Sequence, residues 1–596
     1  MSDAPGARRA PDRRAWLAGC AALVAFGVWL WWGRAADLDL HYAAHGFGPM
    51  AYTYKRHHPD QFRRDFPGGA ENFDKSAPMH AYPLAYRYLG VPPERLVPVI
   101  LALELALIAA AAIALTRTLR PEAPPIVPIL VALLVLASQA RNINFGAYGQ
   151  PYHWAKYHNF ADAFRLFAVV MILRGRPIAA GILAAVSLMC HPTMGLMGAA
   201  FVAACALWRP RESLGRWHLA GAAAFLVLAG AWGLIMVGTG QSQGEPFPRE
   251  LWFSLTRLSS YHWYPIHKGL LTYAHRAALL PFLSLLALTA FYLTRSGSPG
   301  ERERRVLCGI GATLAITVVG LIFSVVDVSP LMTKLCLARS NEMVISVALV
   351  YVVAGLWGDI ATGPPWRQLA AAVVLAAPFF SNPGFPLVFI VLLTLPAWLP
   401  ACQGRFTSRW DLLPLVPAAA SVLLVIVYAA TDLAGPVTSA AYTGFGWLGK
   451  TPVLVGLAAV AVAAAVPHLR ERGIVRIVVL VAIACSAAHW TLESRLKPRG
   501  KVWCRNYKAA QLWARENTPK DALFLIDPVI RHPGLGYGWR DYAQRSSFGM
   551  LREWLLTGWN YNSDIATCRD ALERLRAFGF DVHDYLDTPH PLDDFE

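Results

Sequence analysis

Residues 96–115, LVPVILALELALIAAAAIAL, form a continuous apolar run that contains a single charged residue, Glu104. A helix of about 20 apolar residues covers the roughly 30 Å of hydrocarbon in a lipid bilayer. Similar runs of Leu, Ala and Val, each about 15–22 residues long, recur along the chain. Because these runs do not alternate apolar with polar residues, they predict membrane-spanning helices rather than the strands of an outer-membrane barrel.

The composition agrees with a protein that crosses the bilayer many times. Of the 596 residues, 56% are hydrophobic and 15% are charged, whereas about a quarter of the residues in a soluble globular chain are charged. The formal net charge of +16 could indicate nucleic-acid binding. However, the arginines cluster in short loops between apolar runs, where they set the orientation of the spans. We therefore expect the lipid bilayer, and no nucleic acid, as a partner.

The predicted fold is an all-α polytopic transmembrane bundle of about 13–15 helices with a small C-terminal α/β domain outside the membrane. Residues 1–14 form a basic N-terminus, and residues 15–492 form the transmembrane domain. The first apolar run is long and rich in Trp, so we interpret it as an uncleaved helix rather than a signal peptide. The spans lie near residues 15–33, 94–116, 124–140, 161–174, 177–191, 193–208, 218–238, 276–294, 306–326, 342–357, 367–380, 384–400, 411–431, 452–467 and 474–490.

Residues 493–596 are polar and numerous enough to bury a small core. Their pattern predicts a buried strand at 522–526 and helices at 507–516, 549–559 and 565–578. This segment carries two cysteines, Cys504 and Cys568. A disulfide between them would be permitted in an oxidising compartment.

Short Arg-rich loops alternate along the chain with longer loops rich in aromatic residues and His. By the positive-inside rule the Arg-rich loops and the N-terminus are cytoplasmic. The outer loops are then residues 34–93, 141–160, 239–275 and 327–341. With an odd number of spans the C-terminal domain also lies outside. If the source is a Gram-negative bacterium, we expect the protein in the cytoplasmic (inner) membrane with its C-terminal domain in the periplasm.

The first outer loop contains the carboxylates with the strongest functional interpretation. Asp37 and Asp39 follow the first span directly, and Asp65 ends a segment dense in aromatic residues and His. A carboxylate that faces a cavity can act as a general base or bind a cation, whereas one in the wet interface is inert. We favour the functional interpretation for Asp39 and leave both open for Asp37 and Asp65.

The second outer loop combines amides, aromatic rings and cations. Binding of sugar hydroxyls and phosphates explains this combination better than an interfacial belt of aromatic residues does. Asp162 lies just inside the following span, where an unpaired charge is costly, so it should face a cavity or a partner. A proline break after His191 presents that side chain at the same surface, where a structural role at a helix end and a functional role are both open. Cations in the fourth outer loop could neutralise a lipid-linked phosphate. Alternatively, they only anchor this loop at the membrane interface. The candidate substrate-binding residues are Asp65, Arg141, Asn144, His153, Lys156, His158, Asp162, His191, His262, Lys334 and Arg339.

The polar residues suited to chemistry thus concentrate on the outer face, while the chain contains no G-x-x-x-x-G-K-[ST] loop or kinase-type motif. Nucleotide-sugars and ATP are cytoplasmic, so a reaction outside needs a donor that is already in the membrane. The pattern indicates no cofactor, and a divalent cation (Mg²⁺ or Mn²⁺) is left open.

The arrangement resembles the GT-C superfamily of polytopic membrane glycosyltransferases, in particular uncharacterised bacterial members. The resemblance rests on an acidic residue directly after the first span (Asp37 or Asp39), on the segments 59–65 and 513–524, and on the overall architecture. It implies a polyprenyl-phosphate-linked sugar as donor and a glycan, lipid or protein as acceptor, with transfer of a hexosyl or pentosyl group. It also implies that Asp39 or Asp37 is the catalytic base.

Two other classes of function have the same architecture. A lipid-linked saccharide transporter or flippase would need polar residues through the bilayer midplane. Glu104 is the clearest of few such charges in the sequence. A non-catalytic protein of envelope polysaccharide assembly would not depend on Asp39 at all.

Overall fold

The computed structural model describes residues 13–35, 49–66, 75–136, 144, 157–209, 211, 215–239, 249–259, 263–267, 270–295, 298–380, 466–471, 474–481, 499–526, 539–556 and 565–580, with single residues in 416–424, 458–463 and at 483. Three predicted spans, at 384–400, 411–431 and 452–467, lie wholly or largely outside these residues.

The N-terminal two thirds of the described chain is almost entirely helical. Its helices are α1 (Arg13–Ala35), α2 (Pro49–His57), α3 (Ala81–Leu89), α4 (Pro93–Leu119), α5 (Ile126–Leu136), α6 (Tyr157–Leu173), α7 (Pro177–Cys190), α8 (Pro192–Leu207), α9 (Arg216–Thr239), α10 (Arg249–Ser259), α11 (Tyr273–Thr294), α12 (Glu301–Val325), α13 (Pro330–Lys334), α14 (Asn341–Thr362) and α15 (Pro365–Phe380). A short antiparallel pair, β1 (Ile266–His267) and β2 (Leu270–Leu271), precedes α11.

Four segments in the described part of the chain are long and apolar enough to cross a membrane: Pro93–Leu119, Arg216–Met236, Glu301–Val325 and Pro330–Thr362. Five shorter apolar helices accompany them, at Gly19–Val28, Ile126–Leu136, Pro177–Cys190, Pro192–Leu207 and Ala278–Thr294. The prediction of a bundle of apolar helices is therefore confirmed. The number of 13–15 spans stays a prediction.

The helix ends follow from local chemistry. Pro177 and Pro192 each occupy the first turn of a helix, where the missing N–H costs nothing. Gly175, in the left-handed region at φ 71°, makes the tight turn between α6 and α7. The resulting hairpin lets α7 approach α9 so closely that Gly181 contacts the backbone of Gly221.

The helix ends predicted to be cytoplasmic meet at one end of the bundle. Thr118, near the end of α4, accepts a hydrogen bond from Arg174 Nε at 3.0 Å and one from Arg302 through its carbonyl oxygen. Arg209 pairs with Glu301 at 2.8 Å across the neighbouring helices. The alternation of basic loops therefore corresponds to a real clustering in space.

The C-terminal segment contains α16 (Pro467–Glu471), α17 (Arg499–Asn517), β3 (Leu523–Phe524), α18 (Trp539–Ala543), β4 (Ser546–Ser547), α19 (Leu551–Leu556) and α20 (Ile565–Ala577). The two strands pair in parallel. All three helices predicted from residue 507 onwards are present. α17 begins earlier than predicted, and residues 557–559 of the helix predicted at 549–559 lie outside the described residues. The expectation of a buried strand at 522–526 is wrong, because Leu523 and Leu525 are exposed. Cys568 is a buried free thiol.

Candidate functional site

Two predicted histidines meet where α6 begins and α7 ends. Pro192 breaks the helix, so His191 adopts an extended backbone and its Nδ1 accepts a hydrogen bond from the N–H of Met194 at 3.3 Å. This interaction caps α8. The ring of His158, in the first turn of α6, lies 4.3 Å from the ring of His191. The two imidazoles thus form a contact pair at the predicted outer end of the bundle.

A buried ion-pair triad lies one to two turns further along α6. Arg165 pairs with Asp162 on the same helix and with Glu342 Oε2 on α14 at 2.7 Å. The side chains are 1%, 2% and 3% exposed, respectively. Charges withdrawn from water this completely require a partner, and the three-residue spacing of Asp162 and Arg165 puts both on one helix face. Gly198 on α8 leaves room for Arg165, since a Cβ there would lie 2.7 Å from the Cβ of Arg165.

Glu104 extends this polar region towards the centre of the bundle. It lies near the middle of α4 and accepts a hydrogen bond from Asn159 Nδ2 at 2.8 Å. Both residues are at most 1% exposed. We call the set Glu104, His158, Asn159, Asp162, Arg165, His191 and Glu342 the polar core; three helices (α4, α6 and α14) and the α7–α8 break contribute to it.

Cationic side chains border the polar core at the predicted outer end. Arg339, in a tight turn after Cys336, lies within electrostatic range of His191. Lys334 is held over the ring of Trp252 at 5.3 Å and lies within electrostatic range of Lys75. The neighbour of Lys75, Ser76, donates a hydrogen bond to the carbonyl of Cys190 at 2.8 Å, which ties this end of the first outer loop to the histidine pair.

The predicted site residues therefore divide into three groups. The structure brings His158, Asp162 and His191 together, with Arg339 and Lys334 at the border. Asn144 is fully buried, and Asp65 lies in a separate cluster described below. The remaining candidates lie outside the described residues: Asp37, Asp39, Arg141, His153, Lys156 and His262.

Sequence reasoning considered Arg165, together with Arg141 and Lys156, as a cation that could hold a phosphate, but it did not list Glu104, Asn159 and Glu342 among the site residues. Glu104 and Arg165 carried a signal, because a charge inside an apolar span is costly and is therefore a functional candidate. Glu342 was less visible because it follows a loop and could have faced water. Only the packing of α14 against α6 identifies it as the partner of Arg165.

Asp65 lies in a second buried cluster between the first outer loop and the C-terminal segment. Arg540 Nε donates to both carboxylate oxygens of Asp65 at 2.7 Å, and Lys55 Nζ contacts Asp65 Oδ2 at 2.6 Å. Arg540 also pairs with Glu553. Burial alone would raise the pKa of Asp65, but the two neighbouring cations lower it below its usual value.

Within the described residues, no group of three or more His, Cys, Asp and Glu side chains is arranged to hold a metal ion. A role for Mg²⁺ or Mn²⁺ stays a prediction that concerns Asp37 and Asp39.

No family model matches the chain, and no curated protein matches it by sequence. Among solved structures it is similar to the archaeal oligosaccharyltransferase AglB from Archaeoglobus fulgidus in complex with an inhibitory peptide and a dolichol-phosphate, at 13% identity and a TM-score of 0.34. This match covers 90% of our chain but 64% of the other. A second is the oligosaccharyltransferase of the same organism tethered to an acceptor peptide, at 10% identity and a TM-score of 0.31, covering 94% and 68%. Both TM-scores are below 0.5, so neither similarity indicates a function for this chain.

Proposed function

We propose that this protein is a membrane glycosyltransferase that moves a sugar from a polyprenyl-phosphate donor to an acceptor on the outer face of the cytoplasmic membrane. One observation carries the proposal: a buried polar core of carboxylates, amides and imidazoles lies inside an apolar helix bundle, with cations at its border. Such a site suits a ligand that has a charged phosphate, a polar sugar and a lipid tail.

The chemistry needs charge neutralisation and one proton transfer. Lys334 and Arg339 would neutralise the lipid phosphate, which is the leaving group. Asp39, or Asp37, would take the proton of the acceptor hydroxyl. The hydroxyl oxygen then attacks the anomeric carbon, and the bond between that carbon and the phosphate oxygen breaks. The lipid phosphate leaves with the electron pair of that bond.

The site residues divide the remaining tasks according to their chemistry. Amide and imidazole groups such as those of Asn159 and His158 suit sugar hydroxyls, because each offers both a donor and an acceptor. The pairing of Arg165 with two carboxylates maintains the geometry of the polar core. No step in this scheme requires a nucleotide or a soluble cofactor.

The test is turnover by the purified protein in proteoliposomes that contain a polyprenyl-phosphate-linked sugar. Asp39→Asn should abolish transfer while the protein stays folded, and Lys334→Met should raise the KM for the donor. The matched controls are Asp521→Asn and Lys520→Met, because both side chains are exposed and lie in the C-terminal segment. Full activity of Asp39→Asn and Asp37→Asn would refute the proposed role of the first-loop acids.

A transporter or flippase of lipid-linked saccharides is the second candidate, and the position of the polar core favours it. Glu104 and Arg165 each lie near the middle of an apolar helix, where transported headgroups must pass. Glu104→Gln separates the two functions in vesicles with a fluorescent lipid-linked saccharide. A transporter would lose translocation in this variant and would produce no glycosidic bond in the wild type. A non-catalytic assembly protein would neither translocate the lipid-linked saccharide nor form a glycosidic bond.

A further inference from the structure

A buried charge cluster joins the first outer loop to the C-terminal segment, although the two are about 475 residues apart in sequence. The cluster consists of Lys55, Asp65, Arg540 and Glu553, which are two bases and two acids. The side chains of Asp65, Arg540 and Glu553 are at most 3% exposed. Each segment contributes one base and one acid, and the Arg540–Asp65 pair is the ion pair that joins the two segments. Removal of either partner would leave the other buried without its counter-charge across the contact.

Backbone hydrogen bonds fix the register of the same contact. Phe66 N–H donates to the carbonyl of Ser547 at 3.0 Å, and Ser547 N–H donates to Asp65 Oδ1 at 2.8 Å. Ser546 Oγ donates to the carbonyl of Gln61 at 3.1 Å. Three hydrogen bonds therefore hold the first outer loop against β4 in a defined register.

Apolar packing completes the contact. Phe66 is fully buried in a cluster with Trp554, Leu551 and Leu575 of the C-terminal helices. At the other end of the loop, the N–H of Ala51 donates to Asp541 Oδ1 at 3.1 Å. Both ends of the segment 49–66 are thus attached to the C-terminal segment.

The same segment is connected to the polar core. The ring of Tyr52 on α2 lies 6.3 Å from the ring of His80 in an edge-on contact. His80 ends the short 3-10 helix Ala77–His80, which packs against α6 and α7. That 3-10 helix begins next to Ser76, whose hydroxyl is bonded to Cys190 beside His191.

We propose that Arg540 is a positioning residue: through Asp65 it holds the segment 49–66 in register on the C-terminal segment, and thereby fixes one end of the stretch of chain that carries the first-loop acids of the proposed function. Asp39 is ten residues before Pro49, so attachment of α2 sets one end of the stretch that carries the acid. This inference rests on the proposed function. Buried ion pairs contribute little net stability compared with apolar packing, so the specific role of this one is to select a geometry.

The test compares Arg540→Met and Arg540→Lys with a matched arginine, Arg545. Arg545 is also buried in the C-terminal segment, but it donates hydrogen bonds to Arg515, Thr518 and two neighbouring carbonyls, all within that segment. Arg540→Met should lower kcat about tenfold or more with the KM for the donor unchanged, because a small misplacement of a reacting group is costly. Arg540→Lys should recover part of kcat, and Arg545→Met should leave it unchanged.

A tether distinguishes positioning from folding. The disulfide formed by Gln61→Cys and Ser546→Cys would join the loop to β4 without the ion pair, and it should restore kcat in the Arg540→Met background. Recovery of thermal stability without recovery of kcat would overturn the inference, as would equal losses of kcat in Arg540→Met and Arg545→Met.

Amide hydrogen exchange keeps the two proposals separable. Arg540→Met should accelerate exchange in residues 49–66 while α4 and α6 stay protected, whether or not the wild type transfers sugar. Absence of transfer by the wild type would refute the proposed function only. Unchanged exchange in residues 49–66 would refute the positioning role by itself.

Discussion

Removal of Arg165 is expected to be among the most destabilising single changes in the bundle. Arg165→Met keeps a similar apolar stem but leaves two carboxylates, Asp162 and Glu342, without their shared cation. Their side chains are 2% and 3% exposed, so water cannot replace it. Removing one partner of a buried pair costs about 3–5 kcal/mol. Because two acids lose the same partner, we expect a value near the upper end.

A charge-free triad should recover most of this loss. In the triple variant Arg165→Met, Asp162→Leu, Glu342→Met, no charge and no unpaired polar group remains to be buried. Replacement of a whole buried ionic group by apolar residues of similar volume is often close to neutral in stability. We therefore expect the triple variant to lie within about 2 kcal/mol of the wild type.

The measurement is the free energy of unfolding in mixed detergent micelles, followed by tryptophan fluorescence. The control is Arg209→Met, because Arg209 pairs with Glu301 at a similar distance of 2.8 Å but is 49% exposed. This change should cost at most about 1 kcal/mol. Equal costs for the two single variants, or a triple variant no more stable than Arg165→Met, would refute the reasoning.

Three further predictions concern other parts of the molecule. Gly221→Ala should lower the apparent Tm, because its Cβ would lie 2.7 Å from the carbonyl carbon of Pro177; Gly230→Ala on the same helix, with nothing within 4 Å, should not, and equal shifts would contradict the close helix contact. Burial raises the pKa of Asp541 from 3.8 to about 8, so the folded chain keeps the proton that the unfolded chain releases. The contribution of Asp541 to the free energy of unfolding is therefore complete below pH 3.8 and is lost as pH rises from 3.8 to about 8. In denaturant titrations, the free energy of unfolding of Asp541→Asn should fall less steeply over this pH range than that of the wild type. Asp359→Asn removes a fully buried carboxylate that pairs with Arg367, which is 9% exposed, and with Arg295, which is 45% exposed and can turn to water. The change should cost about 2–3 kcal/mol in the same micelle assay, and a loss below about 1 kcal/mol would contradict the expected contribution of the buried pair with Arg367.

Much of the membrane bundle could be predicted because its signals are local. An apolar run predicts a span from its length alone, and Pro177 and Pro192 mark helix starts by the geometry of their own rings. The predicted span at 193–208 thus differs by one residue from α8 (Pro192–Leu207). The prediction that the strand at 522–526 is buried failed for the opposite reason, because burial depends on what packs against a strand and not on its local composition.

The candidate site could be predicted only in part. His158, Asp162 and His191 carried local signals, being polar residues at or inside the ends of apolar helices. Glu342 did not, because its importance depends on Arg165, a partner 177 residues away.

From the sequence alone come the membrane-spanning character, the clustering of arginines at one end and the concentration of polar residues at the other. Each of these features depends on the hydrophobicity or charge of a segment a few helical turns long, which can be read without knowing what the segment packs against. The tertiary structure decided which charges meet: Arg165 with Glu342, and Asp65 with Arg540. A buried charge needs some partner, but only the packing of distant segments determines which one lies within reach.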